Sequence, residues 1–597
     1  MNSKYAIGID LGTTNCALAY CEMDGDNPDV ELMAVPQFVT AGTMEEQSLL
    51  PSFLYLPTTD EIEAGIYDLP WEKGCDDVTG SWARRQSADV PTRTVAAAKS
   101  WLAHSRVDRR DKILPWNAPR EVPKQSPVDT TRRYLAHLVA AWNADHPDAP
   151  FSEQQVVLTV PASFDAGARE LTHEAALAAG LPEGFVLLEE PQAAVYAWLA
   201  DRGEAWRKEL AEGDNLLVCD VGGGTTDFTV VGVEADDGEL VLRRVAVGDH
   251  ILVGGDNMDL TLAHVAQGLF KEQGIEIDAW QAVSLWHACR SAKEAILADE
   301  RAHTHPVTVL GRGSKVIGGS ISVDLTQEQL EDVLLGGFFP RCAINDYPAQ
   351  GRTSGFQELG LPFEPDPAIT RHLAKFLGRH GNSNDTLRPT HVLFNGGVFK
   401  ASALGDRLIE TLGEWFGAEN APRRLSGERD LDYAVAKGAA YYAHAKSGRG
   451  VRIRGGTGRS YYLGIETAGL AVPGAPRPLR ALCVVPFGME EGTEIGVPSD
   501  AFGLVVGEPA HFRFFSSTVR QHDEPGSMID RWQPDELMET DSLETTLSTV
   551  EGQDDDFVSA TFRSRITELG MFELWCESTT SDDRWKLEFS VRSDAEG

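Results

Sequence analysis

The sequence is short of the features that would send it to a membrane or to nucleic acid. No run approaches the ~20 consecutive apolar residues that a membrane helix needs. Met1-Asn2-Ser3-Lys4-Tyr5 leads straight into a strand pattern, without the apolar core of a signal peptide. Basic residues are outnumbered, 53 Lys and Arg against 91 Asp and Glu, and the net charge of −38 repels phosphate backbones and anionic bilayers. The eight cysteines (Cys16, Cys21, Cys75, Cys219, Cys289, Cys342, Cys483, Cys576) form no C-x-x-C pair, which argues against a zinc site or a thiol redox motif. Repeats and low-complexity tracts are missing too. These absences predict a cytoplasmic location and no nucleic-acid or membrane partner. What is present is ordinary: 597 residues, 42% hydrophobic and 24% charged, enough for two to four domains with their own cores.

Two short stretches stand out. Leu216-Leu217-Val218-Cys219 runs into Asp220-Val221-Gly222-Gly223-Gly224-Thr225-Thr226-Asp227 and then Phe228-Thr229-Val230-Val231, a strand, a glycine turn and a strand. Three residues without side chains let a ligand reach backbone N–H groups, and an aspartate at each end can hold a hydrated cation or orient a water molecule. The N-terminus repeats the device: Tyr5-Ala6-Ile7-Gly8-Ile9, then Asp10-Leu11-Gly12-Thr13-Thr14-Asn15, then Cys16-Ala17-Leu18-Ala19-Tyr20. Thr13 and Thr14 place hydroxyls beside open N–H groups, donors suited to phosphate oxygens. Two such hairpins predict two related subdomains facing each other across a cleft, with a triphosphate between them.

The paired hairpins resemble the nucleotide-binding fold shared by actin, sugar kinases and heat-shock chaperones. Further motifs select the branch. Val160-Pro161-Ala162-Ser163-Phe164 with Arg169, and Glu189-Glu190-Pro191-Gln192-Ala193-Ala194, are similar to the "V-P-A-x-F" and "E-P-x-A-A" patterns of the heat-shock protein 70 family. Gly248-Asp249-His250, Gly254-Gly255-Asp256-Asn257-Met258-Asp259, Asn395-Gly396-Gly397 and Asp432 to Ala440 follow in that family's order. Singly, Pro161 reads as a strand terminator, Arg169 as a surface charge and Glu190 as a helix N-terminal carboxylate; their shared order carries the assignment.

The resemblance implies an α/β architecture: an actin-like, two-lobed ATPase domain of duplicated ribonuclease H-like subdomains over residues 1–447, with an insertion near 340–390. A Gly/Arg-rich linker follows at 448–460, and then a β-sandwich-like, substrate-binding domain at 461–597 without the family's helical lid. It implies ATP or ADP with Mg²⁺ as cofactors. Asp10 and Asp220 would hold the metal through water. Gly12, Thr13, Thr14, Asn15, Gly222, Gly223, Gly224 and Thr225 would grip phosphates. Lys99, Glu190, Asp220, Thr225 and Asp227 would serve catalysis, with Lys99 drawn from Ala97-Ala98-Lys99-Ser100-Trp101. Gly254, Gly255, Asp256, Lys293, Gly396, Gly397, Lys400 and Asp432 would complete the nucleotide site, and Pro161 and Arg169 would relay its state.

The chain departs from the family on the nucleoside side. Arg290, Glu294 and Leu297 stand where the family has glutamate, arginine and serine, and Lys400 replaces a stacking arginine. A swapped Arg290–Glu294 pair at i, i+4 and a loosened purine pocket are the two readings of this change. Ile369 to Leu377 reads as an inserted helix, with loops at Arg352-Thr353-Ser354-Gly355 and Gly381 to Asp385. Lys446 to Gly450 and Arg454 to Gly458 read as the boundary between domains. Val451-Arg452-Ile453-Arg454 can form a short strand, without the leucine-rich linker of the family. Tyr461 to Gly469 resembles the start of the family's peptide-binding β-domain. Alternating runs at 482–486, 511–515, 561–566, 572–576 and 585–591 predict its strands. Asp554 to Asp556 reads as an exposed turn. The resulting expectation is an ATP-hydrolysing chaperone that couples nucleotide state to client or peptide binding, with J-domain and nucleotide-exchange co-chaperones as partners. The alternatives are a nucleotide-bound scaffold with little turnover and, further off, a sugar-type kinase.

Overall fold

A computed structural model describes all residues except 1–2, 26–27, 105, 117, 237–238, 299–300, 311–319, 350–360, 362, 382–385, 426, 428–429, 447–452, 455, 467–478, 506–508, 547–556, 568–570 and 591–597. The expected loops at 352–355 and 382–385, most of the boundary at 446–450, the segment 467–469 and the acidic turn at 554–556 therefore lie outside the described residues. Among those described, no helix is long and apolar enough to cross a membrane.

Two mixed sheets dominate the first 454 residues, and each is organised around one of the two hairpins. In the first sheet Tyr5–Leu11 pairs antiparallel with Asn15–Glu22 and parallel with Gln155–Val160, which pairs in turn with Val186–Glu189. In the second, Asn215–Val221 pairs antiparallel with Thr226–Asp236 and parallel with His391–Asn395, and Arg423–Arg424 lies beyond. Both leading strands are buried along almost their whole length, because parallel strands are covered on both faces. Helices then follow from local signals. Asp165 caps Ala166–Ala178 by accepting from the Ala168 N–H at 2.8 Å. Gly180, at φ +97°, stands just past its end. The inserted helix forms over Ile369–Arg379, with Ile369, Leu373, Phe376 and Leu377 turned to the core.

Small residues bring the layers close. The alanine-rich helix Ala434–His444 lies so near the first sheet that a Cβ on Gly8 would meet the Ala440 nitrogen at 2.2 Å. On its other side a Cβ on Gly438 would meet the Ala193 carbonyl oxygen, in helix Glu190–Arg202, at 1.8 Å. Glu190 enters the cleft from the first turn of that helix.

After Ile453–Arg454, every element among the described residues is a strand. Ile453–Arg454 itself extends the second sheet, parallel to Leu242–Arg243, so the short strand expected there forms without leucines. A five-stranded sheet built on Ser460–Glu466 and Leu479–Val485 shares one apolar core with a seven-stranded sheet built on Phe557–Ile566 and Phe572–Ser578. Tyr461, Phe514 and Phe572 stack at that core, with centroids 5.3–5.5 Å apart. The alternating run at 511–515 is not one strand: Pro509–Phe512 and Phe514–Ser517 belong to different sheets. The break falls at Arg513, whose guanidinium is drawn out to Glu539 at 2.5 Å.

This β-rich part is tied to the rest of the chain by polar contacts. Arg109 and Asp541 form a fully buried ion pair at 2.7 Å. Arg379, from the inserted helix, reaches Asp535 at 2.7 Å, and His380 contacts the Thr518 carbonyl oxygen at 3.1 Å. Arg459 donates to the Ser163 carbonyl oxygen at 3.1 Å.

The glycine contacts predict opposite signs for one substitution at two helical sites. Gly438→Ala should destabilise the protein by about 1–3 kcal/mol through overpacking. Gly268→Ala, in Gly255–Glu272 with nothing within 4 Å of its Cβ, should stabilise it by about 0.5–1 kcal/mol through helix propensity. Thermal unfolding of the two variants checks both signs.

Candidate functional site

The two hairpin turns meet tip to tip. In the second, the Gly222 N–H donates to the Thr225 carbonyl oxygen at 2.9 Å, and the closing strands set Asp220 opposite Asp227. A Cβ on Gly223 would lie 2.1 Å from Thr14 Oγ1, and one on Gly224 would lie 3.0 Å from Thr13 Cγ2. Side chains at these positions would force the turns apart, which is the physical reason for glycine there. Helix Gly255–Glu272 opens against the same turn: the Gly255 and Asp256 N–H groups donate to the Gly222 and Gly223 carbonyls at 3.0 and 2.7 Å. Gly396, at φ +85°, packs under Val221, and a Cβ there would meet the Val221 carbonyl oxygen at 2.2 Å.

Between the turns lies a cavity of about 870 Å³. Of the residues expected at the site, Asp10, Gly12, Thr13, Thr14, Asn15, Lys99, Glu190, Asp220, Gly222, Gly223, Thr225, Gly255, Asp256, Lys293, Gly396, Gly397, Lys400 and Asp432 line it. Gly224 and Gly254 support the wall from behind. Asp227 does not reach the wall: it is 4% exposed and stands behind Asp220.

Around Lys99, at the hairpin end of the cavity, acids outnumber bases. Lys99 is 6% exposed and ion-paired with Glu190. Burial works against its charge, but Glu190, Asp10 and Asp220 hold it above the ordinary lysine range. The acids surrounding it suffer the reverse. Burial and the neighbouring Glu190 push Asp10 up to about 7. The same two causes lift Asp220 far above the usual carboxylate range, against the 2.9 Å hydrogen bond donated by Asn395. Glu190 and Asp227 are raised as well, first by burial. Four acids and one lysine make a site that lacks positive charge. Among the described residues no three Asp, Glu, His or Cys side chains group as direct metal ligands.

Lys99 is delivered by strain. Ala97, the one non-glycine residue with positive φ among those described, sits at +55° immediately before the short helix Ala98–Leu102 that carries Lys99. Such a left-handed alanine persists only where surrounding structure enforces it.

On the nucleoside side the structure excludes one of the two readings, the i, i+4 pair. Arg290 is not paired with Glu294; it is ion-paired with Asp256 and, at 2.7 Å, with Asp259, both on the adjacent helix. Lys293 also reaches Asp259, at 2.6 Å. Buried Asp259 and half-buried Asp256, on a neighbouring helix, hold Arg290 in place of an i+4 carboxylate, so tertiary packing wins. Lys400 is half exposed and ion-paired with Asp432. Arg84 and His287 also face the cavity. Asn395 and Asp259 belong here as well; both lie in quoted motifs, but nothing in their spacing pointed to a role.

The raised acids predict a pH dependence with a definite sign. Asp10 has a folded value near 7 and an unfolded value near 3.9, so its favourable contribution is complete below about pH 4 and is lost as pH rises through 7. Without divalent cations, Asp10→Asn should melt above wild type at pH 8, and this advantage should vanish by about pH 4. Melting temperature against pH for both proteins checks it.

Comparison with known proteins agrees with the geometry. The family model described as Hsp70 protein matches residues 70–343. The chaperone protein DnaK of Buchnera aphidicola subsp. Schizaphis graminum is 26% identical over 357 residues, 57% of this chain and 50% of that protein. The HscA homolog of Bordetella petrii is 29% identical over 341 residues, covering 55% and 46%. DnaK of Stenotrophomonas maltophilia is 24% identical over 429 residues, covering 68% and 60%. The chain thus spans about half the length of the curated relatives it matches. The chain is similar to the Hsp70 family, matching its model over residues 70–343, and its mixed α/β core and facing glycine turns agree with an actin-like ATPase fold.

Proposed function

We propose that the protein is a Mg²⁺-dependent ATPase of the chaperone type, in which the nucleotide held in the cleft governs binding of unfolded or client protein segments to the β-rich part. One observation carries the reading: both glycine turns, Lys99 and the acids Asp10, Glu190 and Asp220 converge on one cavity. The fit to the missing group rests on charge and shape. The acids are in excess, the turns are too close for any side chain but hydrogen, and Asn395 Oδ1 is buried with no hydrogen-bond partner among the described residues. Bound Mg²⁺ and ATP would supply a polarised phosphoryl group open to water.

The chain's own residues then take these parts. Backbone N–H groups of Gly12 to Asn15 and Gly223 to Thr225 donate to phosphate oxygens, while Gly222, whose N–H is held by the Thr225 carbonyl oxygen, closes the turn. Asp10 and Asp220 face the hydrated cation. Glu190 holds Lys99 in place and charged, and the Thr225 hydroxyl stands ready beside it. Gly254 to Asp256, Lys293, Gly396, Gly397, Lys400 and Asp432 frame the nucleoside end.

In this reading residues 1–447 form the ATPase, 448–460 the linker and 461–597 a β-sandwich client module. Arg169 ion-pairs Glu189 at 2.7 Å and Glu189 also pairs Arg244. That chain of charges leads from the cleft toward Tyr461 and supports a relay. J-domain and nucleotide-exchange proteins are the co-chaperones it implies. The eight cysteines are all free, which agrees with a reducing, cytoplasmic setting. A scaffold with little turnover is the second reading. It is favoured by Arg290 and Lys293, whose charges are committed to Asp256 and Asp259.

Steady-state ATP hydrolysis separates the two. Wild type should turn over with Mg²⁺, and Lys99→Ala and Asp220→Asn should each lose about 10²-fold or more in kcat. Wild-type turnover no faster than that of Asp220→Asn would leave only the scaffold. Stimulation by added unfolded peptide is the expected sign of coupling.

A further inference from the structure

The glycine turn at 222–225 rests on the start of one helix, and that start is held by two cations from the next helix. The Gly255 and Asp256 N–H groups, donors that a helix start leaves without an intrahelical partner, donate to the Gly222 and Gly223 carbonyl oxygens at 3.0 and 2.7 Å. The packing is tight: a Cβ on Gly254 would meet those same two carbonyl oxygens at 2.7 and 2.6 Å. From helix Ala279–Ala298, Arg290 spans both acids of this helix start, its Nε on Asp259 Oδ2 at 2.7 Å and its Nη2 on Asp256 Oδ1. Lys293 reaches Asp259 Oδ1 at 2.6 Å and the Gly255 carbonyl oxygen at 3.3 Å. The Asp256 oxygen that Arg290 holds stands against the turn, 3.6 Å from where a Cβ on Gly223 would lie.

Peptide planarity turns this anchoring into ligand geometry. In a trans peptide the C=O and the N–H that follows it point in opposite directions. The Gly222 and Gly223 carbonyls are drawn to the helix, so the Gly223 and Gly224 N–H groups point away from it. Neither N–H has an acceptor among the described residues. Both are left to donate to an anion. Arg290 itself keeps little for a ligand: it is 6% exposed, two of its nitrogens are engaged by acids, and its guanidinium lies over the Trp286 ring at 5.6 Å. Its planar fork suits two carboxylates one helical turn apart, which a single ammonium cannot span in the same way. Without it, Asp256 and Asp259 would share only Lys293, and their repulsion would loosen the helix start.

We propose that Arg290 is a positioning residue for the Gly222–Thr225 turn. By holding Asp256 and Asp259 it fixes the helix start that carries the turn, and so aims the Gly223 and Gly224 N–H groups at the phosphate chain of the ligand instead of contacting the nucleoside. The proposal rests on reading the cleft as a nucleotide site.

Two measurements on the full chain test it. Isothermal titration compares Mg²⁺–ATP with Mg²⁺–tripolyphosphate, a probe without a nucleoside. Arg290→Met should weaken both by the same factor, about tenfold, and Arg290→Lys should weaken both by less. A loss for ATP with tripolyphosphate affinity unchanged would make Arg290 a nucleoside contact and overturn the proposal; so would a wild type that binds ATP but not tripolyphosphate. Amide hydrogen exchange without nucleotide gives the second readout. In Arg290→Met, exchange should quicken about tenfold over 254–259 and 221–227 and stay unchanged elsewhere, with Arg290→Lys in between. Unchanged exchange in those two segments, or a rise spread over the whole chain, would overturn it. A wild type that binds neither ligand would instead sink the reading of the cleft, while exchange still decides whether Arg290 holds the turn.

Discussion

The structure depends on the burial of more negative charge than one lysine can balance. Asp10, Glu190, Asp220 and Asp227 crowd around Lys99, and burial raises all four acids. Like charges held together away from water are a standing penalty, and nothing in the packing of the two sheets requires it. Such an arrangement is retained where a ligand of opposite charge relieves it. In the proposed reading the relieving charge is a hydrated cation, and the facing turns supply backbone donors for the anion that accompanies it. The rest of the fold brings the acids and the turns to one place. Each sheet ends a leading strand at an acid, the left-handed Ala97 aims Lys99, and the Glu190–Arg202 helix brings Glu190 to meet it.

Close backbone approach is the second constraint, and it is met by small residues. Gly8 and Gly438 let the helix Ala434–His444 lie between the first sheet and the helix Glu190–Arg202, and Gly223 and Gly224 let the turns touch. Stability and function are thus written in the same residue type. The β-rich part is linked to this core by Arg109–Asp541, by Arg379–Asp535 from the inserted helix, and by Arg459 on Ser163.

How much of this could be read from the residues alone follows the range of each interaction. The hairpins at Asp10 and Asp220 were legible because strand, turn and strand are local and the glycines have a local purpose. The inserted helix over Ile369–Arg379 was legible from spacing, and so were most of the strands after 460. Lys99 was reached only through resemblance, since a lysine in a helix pattern says nothing about its burial. The two readings of Arg290 stayed open because its partners, Asp256 and Asp259, are far away in sequence but adjacent in space. The single run at 511–515 was misread because alternation cannot show that its two halves join different sheets. Ala97 and the Ser163–His250 contact had no local signal: strain and a buried hydrogen bond between distant loops appear only once the chain is folded.

Asp10, pushed up to about 7, should stay partly protonated near neutral pH until a cation and its phosphates arrive. Isothermal titration of Mg²⁺ and ATP into the full chain at pH 7, repeated in buffers of different ionisation enthalpy, counts the protons exchanged on binding. With Asp10 near 7 and Asp220 raised well above the usual carboxylate range by burial and Glu190, the account predicts net proton release. Binding with no proton release, or with proton uptake, would contradict it.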